Sequence, residues 1–318
     1  MPAREAESRT GRGFRHWAML YRRERGFLDG VLPFIRDAIE AGQPTLVMVS
    51  AESIELLREA LGGDPDGVQF ADMGQVGANP ARIIPAWRRF LDEHADAERP
   101  LRGVGEPICA TSTAPELVEC QRHEALLNLA FAHVGDFELL CPYDLEALDG
   151  KVIAEAERSH PLLVEGGRER ASYRYRGLEA IAAPFDAPLP AAPIGASEFS
   201  FDAATLGELR ELIRRFGRHA EVDGQAIENL VTCVNELATN SVRHGGGRGT
   251  AKFWQEHDVL VCEIRDQGKV SAPLAGRIEP QTRDTRGRGL WLANQLCDLI
   301  QIRSVPEGTQ ARAHVVVA

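Results

Sequence analysis

The segment IAAPFDAPLPAAPIGASEFS, residues 181–200, has four prolines, many alanines and neither a helical nor a strand period. Such a stretch reads as a semi-stiff linker. It splits the 318 residues into two halves of different rhythm, and a chain of that length exceeds one ordinary core. Two domains are therefore expected. There is no internal repeat and no other low-complexity segment.

Before the linker, short apolar strands alternate with helical patterns. The helix-like GFLDGVLPFIRDAIEAG precedes the strand PTLVMVS, and the helix SIELLREAL follows. Then come the strand GVQFADM, a helix from Asn79 through FLDEHADA, the strand LRGVGE, the helix PELVECQRHEALLNLAFAHV and the strand FELLCPYD. The alternation predicts an α/β domain on a mostly parallel sheet covered by helices. Gly-x-x-x-x-Gly-Lys is absent from this half, so the expectation is a RecA-like sheet without a Walker A phosphate loop.

After the linker the order changes. Two helices, TLGELRELIRRFGRHA and QAIENLVTCVNELATNSVRH, precede the hairpin-like strands TAKFWQE and VLVCEIRD. An irregular segment leads to the helix LWLANQLCDLI, and the strands IQIRSV and ARAHVVV close the chain around Pro306-Glu307-Gly308. Helices on one face of a mixed sheet predict an α+β two-layer sandwich.

The net charge of −11 is uneven. Residues 1–195 hold 21 Lys+Arg against 31 Asp+Glu, and residues 196–318 hold 15 against 16. An acidic first half argues against direct binding of nucleic acid, which needs positive charge to displace counterions. No apolar run is long enough to span a bilayer, and the charged opening MPAREAESRTGRGFRH lacks a signal-peptide core. A cytoplasmic protein without membrane attachment is expected, its six cysteines reduced.

The chemistry gathers in the second half. Ile227, Leu230, Val231, Val234, Leu237, Ala238 and Val242 recur at helical spacing as a buried stripe. Glu236 and Asn240 are i,i+4 neighbours roughly opposite it. Alone, such a pair is most simply a solvated face. In VLVCEIRDQG, however, Asp266 shares parity with Leu260, Cys262 and Ile264, so a carboxylate follows three inward residues. Burying it is costly unless something donates to it. An adenine amino group is a suitable donor, and Gly268 would let a flat base approach the backbone; a turn cap is the plainer reading.

Gly287 and Gly289 stand just before a helix, where free N–H groups and the helix dipole favour an anion. Arg286 and Arg288 add positive charge there, and Leu290 follows. The intervening KVSAPLAGRIEPQTRDT is polar and aperiodic, as a mobile lid would be. Thr309 follows Gly308 and shares parity with Ala311, Ala313, Val315 and Val317, so it faces inward. Gly245 to Gly247 read as a helix stop.

Taken together, Glu236-x3-Asn240, Asp266-x-Gly268, Gly287-x-Gly289 and Gly308-Thr309 resemble the GHKL ATPase fold shared by gyrase, histidine kinases and anti-sigma-factor kinases. The resemblance covers residues 197–318 and looks most like serine kinases of the RsbW/SpoIIAB type. It implies ATP and Mg²⁺ as cofactors. Asn240 would hold Mg²⁺, Asp266 would read the adenine amine, Gly287 and Gly289 would present N–H groups to the phosphates, and Thr309 would lie near the base. Arg286, Arg288 and Leu290 would lie beside the nucleotide. Glu236 would be the general base toward a partner serine. One departure stands out: the Asp-x-Gly-x-Gly pattern reads Asp266-Gln-Gly268-Lys-Val270, which puts the lid geometry in question.

In the first half, ADMGQVGANPARIIPAW, RGVGEP, ECQRHEALLNLAF, CPYD and SHP resemble the MEDS sensory domain over residues 14–167. In RsbA-like regulators that domain is joined to an anti-sigma-type ATPase domain, here through a linker at 181–196. The resemblance implies reception of a signal, such as a small molecule, and names no ligand. Cys120-x2-His123 has ligand-like spacing, and Cys109, Cys141 and His160 could join it. Cys109 and Cys141 sit by apolar strand residues, however, where free cysteine acts as a small hydrophobe. His123-Glu124 is similar to a histidine-kinase phosphoacceptor, yet its helix carries Leu126, Leu127, Leu129 and Ala130, the mark of a core helix.

The expected function is an ATP-dependent anti-sigma-factor-type serine kinase under sensor control. Its partners would be a STAS-domain anti-anti-sigma factor, a sigma factor or both, and the resemblance implies a homodimer. The alternative is a non-catalytic ATP-binding module that sequesters its partner. A histidine kinase is disfavoured by the lack of a separate phosphoacceptor domain.

Overall fold

The computed structural model describes residues 13–182, 185, 187–220, 222–281 and 287–317. The first unit opens with β1 (Arg15–Tyr21), α1 (Arg23–Ala41), β2 (Thr45–Val49), α2 (Ala51–Leu61) and β3 (Val68–Asp72). It continues through α3 (Met73–Val76), α4 (Ile83–Glu93), β4 (Leu101–Gly105), α5 (Ala114–Ala130) and β5 (Phe137–Asp144). It ends with α6 (Gly150–Ser159), β6 (Leu162–Glu165) and β7 (Arg168–Ala171), so the sheet extends past residue 167.

The seven strands lie in the order β3-β2-β4-β5-β1-β6-β7. All pairings are parallel except β6 with β7. This is the mostly parallel α/β sheet expected. The sequence reading began at α1 and passed over β1, which is a central strand between β5 and β6. Its buried run from His16 to Leu20 has no polar alternation because both faces are covered. One face packs Ala18, Met48, Trp87, Leu126 and Leu139, and the other packs Trp17, Val31, Ile35, Val47 and Leu140. A single residue, Arg22, joins β1 to α1, which leaves no room for a glycine-rich phosphate loop.

The second unit contains β8 (Ser197–Asp202), α7 (Leu206–His219), α8 (Gly224–His244), β9 (Arg248–Glu256), β10 (Val259–Asp266), α9 (Arg288–Leu296), β11 (Leu299–Val305) and β12 (Gly308–Val316). Its five strands run β11-β12-β10-β9-β8, and every pairing is antiparallel. Four of these strands are expected from the sequence; β8 opens the second unit directly after the linker, where no strand pattern is expected. The stripe of α8 (Leu230, Val231, Val234, Leu237, Ala238) packs on Ala251, Cys262, Ile264 and Ala313 of the sheet. Each fully buried Leu or Val there contributes about 1.5–3 kcal/mol, so α8 is firmly fixed on the strand that ends in Asp266.

The linker is not a free spacer. The backbone N–H of Leu189 donates to Gln310 Oε1 at 3.0 Å, and Arg312 donates to the carbonyl of Pro190 at 2.6 Å. Arg312 also pairs with buried Glu263 at 2.5 Å. The outer face of the sheet is therefore covered at these positions.

The two units meet across a polar seam. Asn79 donates to the carbonyls of Asn294 and Cys297, and Arg82 donates to those of Asn294, Gln295 and Cys297 at 2.9–3.0 Å. Both therefore cap the C-terminal end of α9, where carbonyls lack helical partners and a cation is favoured. Glu119 on α5 pairs with Arg303 of β11 at 2.7 Å and with Arg277 at 3.3 Å. Leu274 and Ile278 pack against the core of the first unit.

Candidate functional site

Glu236 and Asn240 lie on α8, both half-buried. They are less exposed than a face opposite the apolar stripe would suggest, because the start of α9 packs over that side of α8. A Cβ on Gly289 would overlap the Glu236 carboxylate, so the glycine is what lets the helix start approach this acid. Asn240 has no side-chain hydrogen bond among the described residues.

Asp266 ends β10, where it pairs with Thr309 of β12. Its Oδ1 accepts from the Gly268 N–H at 2.7 Å, and its Oδ2 accepts from Ser241 Oγ at 2.5 Å. Two donors fix the carboxylate, and each oxygen keeps a lone pair for a further donor. Thr309 is buried and donates its hydroxyl to the Gly268 carbonyl at 2.9 Å. Gly308, at φ 140, has no space for a side chain against the Asp266 backbone.

Gly287 takes the N-cap position of α9 with a left-handed φ of 83, a conformation that suits glycine. Arg288 is the exposed first residue of that helix. Arg286 lies outside the described residues. A cavity of about 290 Å³ is lined by Asn240, Asp266, Gly268, Gly287, Leu290 and Thr309 together with Ser241, His244, Ile302 and Ala311. That is near the lower end of small-molecule sites, about 300 Å³. A larger open concavity of about 610 Å³ lies by β8 and β9 and shares only Asp266 with this set. The first cavity combines a fixed carboxylate, apolar walls and a glycine helix start.

Three features of the site are not among the expectations from the sequence. Ser241, the hydroxyl partner of Asp266, was legible as a serine on an otherwise apolar helical face. Gly245 is more than a helix stop, because its φ is −104 and a Cβ there would strike the Asp266 side chain. The described part of the expected mobile lid is pinned. Val270 exchanges hydrogen bonds with Ser304 Oγ at 3.0 and 3.2 Å, and Arg277 is buried against Glu119 and the Pro80 carbonyl. Burial pushes the Arg277 guanidinium down to about 10, against the pull of Glu119. Ser304 of β11 holds Val270 within the same unit, while Arg277 is held by Pro80 and Glu119 of the other unit, contacts that no local pattern could reveal.

The histidines and cysteines of the first unit also sort themselves. His123 is sealed in the core, and burial lowers its imidazole to about 3, which leaves it a structural residue. Cys109 is exposed rather than packed as a small hydrophobe. Cys120 and His123 do not join Cys141 and His160; His16 and Glu124 do.

The fold thus defines an α/β unit joined to an α+β unit whose cavity brings Asn240, Asp266 and the start of α9 together. Comparison with known families gives the same division. Residues 15–161 match the MEDS family model, the MEthanogen/methylotroph, DcmR Sensory domain. Residues 199–315 match the histidine kinase-like ATPase domain. The chain therefore carries an N-terminal MEDS sensory domain and a C-terminal GHKL-like ATPase domain. No curated protein matches it. One matching solved structure is that of the RsbU and RsbW domains of Rv1364c from Mycobacterium tuberculosis. It is 18% identical over 40% of this chain and 33% of that chain, with a TM-score of 0.30, too low to carry an argument. No described helix is long and apolar enough to cross a membrane.

Proposed function

We propose that the chain is an ATP-dependent regulator of the anti-sigma-factor type, a protein serine kinase governed by its MEDS domain. The supporting observation is the single cavity that collects Asn240, Asp266, Gly268, Gly287, Leu290 and Thr309, with Glu236 against Gly289 at its edge. In this reading Asp266 accepts from the adenine amine while Ser241 and Gly268 hold it in place. Asn240 offers its amide oxygen to Mg²⁺. The N–H groups at Gly287 and Gly289, with Arg288, would face the phosphates; Arg286 is proposed to add charge there from its place in the sequence. Glu236 would take the proton from a partner serine hydroxyl as its oxygen bonds to the γ-phosphorus and the β,γ P–O bond breaks to release ADP.

The proposed substrate is a STAS-type anti-anti-sigma factor, and a sigma factor is the proposed target of sequestration. Cytoplasmic location and pairing as a homodimer belong to the same proposal. The MEDS domain acts through the seam, since Asn79 and Arg82 hold the end of α9 and Glu119 holds Arg277. A small-molecule signal has a candidate place in a cavity of about 330 Å³ lined by Ser50, Asp72, Glu106, Cys109 and Pro80. Ser50, Asp72 and Glu106 lie at the carboxyl ends of the parallel strands β2, β3 and β4, where open α/β sheets bind ligands.

Incubation with Mg-ATP and a cognate STAS protein, read by mass spectrometry, tests the kinase. Phosphoserine on the STAS protein, lost in Glu236→Ala with ATP binding retained, is the expected result; no phosphoserine with the wild-type chain contradicts it. The second reading, ATP as a switching ligand without transfer, draws support from the pinning of Val270 and Arg277. Unchanged regulation by Glu236→Ala in cells would favour it.

A further inference from the structure

Deep in the MEDS domain, four side chains from four elements converge. His16 comes from β1, Glu124 from α5, Cys141 from β5 and His160 from the residue closing α6. One ligand-type atom from each lies within 4.8 Å of all the others, and all four residues are buried. His16 Nε2 stands 3.2 Å from Glu124 Oε2 and 3.3 Å from Cys141 Sγ, and His160 Nε2 stands 3.0 Å from the same carboxylate oxygen.

The hydrogen bonds behind the rings decide where their protons sit. His160 Nδ1 lies 2.8 Å from the Ala156 carbonyl, which can only accept, so Nδ1 carries hydrogen. His16 Nδ1 lies 3.3 Å from Asn128 Oδ1, and the Asn128 amide nitrogen donates to the Ser159 carbonyl at 2.7 Å, which fixes the oxygen toward His16. In their neutral forms both rings aim an Nε2 lone pair at the Glu124 carboxylate, with only the Cys141 thiol close enough to donate to the one on His16. Lone pairs facing an anion in a sealed core need a positive centre between them. Two imidazoliums could supply it, but their ring centroids are 4.0 Å apart and one carboxylate would face two buried cations. A divalent ion with one carboxylate, one thiolate and two neutral imidazoles balances to zero.

We propose that His16, Glu124, Cys141 and His160 form a closed four-ligand site for a zinc-type divalent ion. Tetrahedral zinc with bonds of about 2.0–2.3 Å separates its ligand atoms by about 3.3–3.8 Å; three of the pairs here stand at 3.0–3.3 Å and all lie within 4.8 Å, so small side-chain shifts would close the site on an ion. Mixed nitrogen, sulfur and oxygen donors suit zinc. The outer acceptors Ala156 and Asn128 are the partners that orient metal-bound histidines. With four protein ligands and no solvent access, the ion is structural and ties β1, α5, β5 and α6 together. Glu119, which grips Arg277 and Arg303 of the ATPase domain, lies on the same helix as Glu124. The ion therefore also fixes the helix that carries the interdomain contact.

The test uses the untagged full chain, stripped by chelator and then loaded with Zn²⁺ or Co²⁺ without nucleotide. One zinc per chain surviving desalting is expected, with Co²⁺ giving four-coordinate bands and a thiolate-to-cobalt charge-transfer band. Cys141→Ser should remove the charge-transfer band. If that variant does not fold, the wild type decides: Zn²⁺ should raise its melting temperature and chelator should lower it. A folded wild-type chain that retains no zinc and shows neither cobalt bands nor a melting shift overturns the proposal. A charge-transfer band surviving in Cys141→Ser also overturns it.

Discussion

Glu119 of the MEDS domain and Arg303 of the ATPase sheet meet at 2.7 Å, both almost wholly buried. The same carboxylate holds Arg277 at 3.3 Å. Removing one partner of a buried pair leaves a charge without compensation, which costs about 3–5 kcal/mol. Glu119→Gln is therefore expected to destabilise the full chain by about that amount in urea unfolding. A change under about 1 kcal/mol, within the range of a solvent-exposed pair, would mean that the seam opens in solution.

Arg82 makes three hydrogen bonds to carbonyls at the end of α9. A hydrogen bond to a charged group contributes about 1.5–3 kcal/mol. Arg82→Ala should lower stability by at least that amount, and hydrogen exchange should show α9 opening first. Unchanged protection of α9 would count against interdomain capping.

Gly289 touches the Glu236 carboxylate. In a helix, Ala is favoured over Gly by about 0.5–1 kcal/mol, so Gly289→Ala should stay folded. The added methyl should nevertheless displace Glu236. Transfer to the partner is expected to fall sharply while the melting temperature holds. Full transfer activity in this variant would remove Glu236 from the role of base.

Much of this site was legible because its chemistry follows strand parity and helix spacing. Asp266 could be placed from Leu260, Cys262 and Ile264, and α8 from its stripe. What local pattern could not show is contact between distant segments. The covering of Glu263 by Arg312 and the linker, and the hold of Glu119 on Arg277, depend on tertiary packing alone. β1 was missed because a doubly buried strand has no alternation, and His16, on that strand, was missed with it. Of the residues with ligand-type chemistry in the sequence, Cys141 and His160 share the buried cluster, whereas Cys109, Cys120 and His123 do not. Glu124, one position beyond His123, is the side chain turned toward His16 and His160.

Glu106 is half-buried beside Tyr21, whose hydroxyl donates to it at 3.0 Å. Burial raises its carboxyl from 4.5 to about 7, against the lowering effect of Tyr21. The folded state therefore favours the protonated acid. Its contribution is full below about pH 4.5 and is lost as pH rises to about 7. Stability measured across that window should fall with pH, and Glu106→Gln should flatten the slope. An identical slope in the variant would assign the dependence to other groups.

Calorimetric titration of the full chain with Mg-ATP tests the central claim most directly. The wild type should bind one nucleotide per chain. Asp266→Asn should weaken binding about ten- to a hundred-fold, the equivalent of a hydrogen bond to a charged group, and Glu236→Ala should bind as the wild type does. No binding by the wild type, or wild-type affinity in Asp266→Asn, would contradict the account.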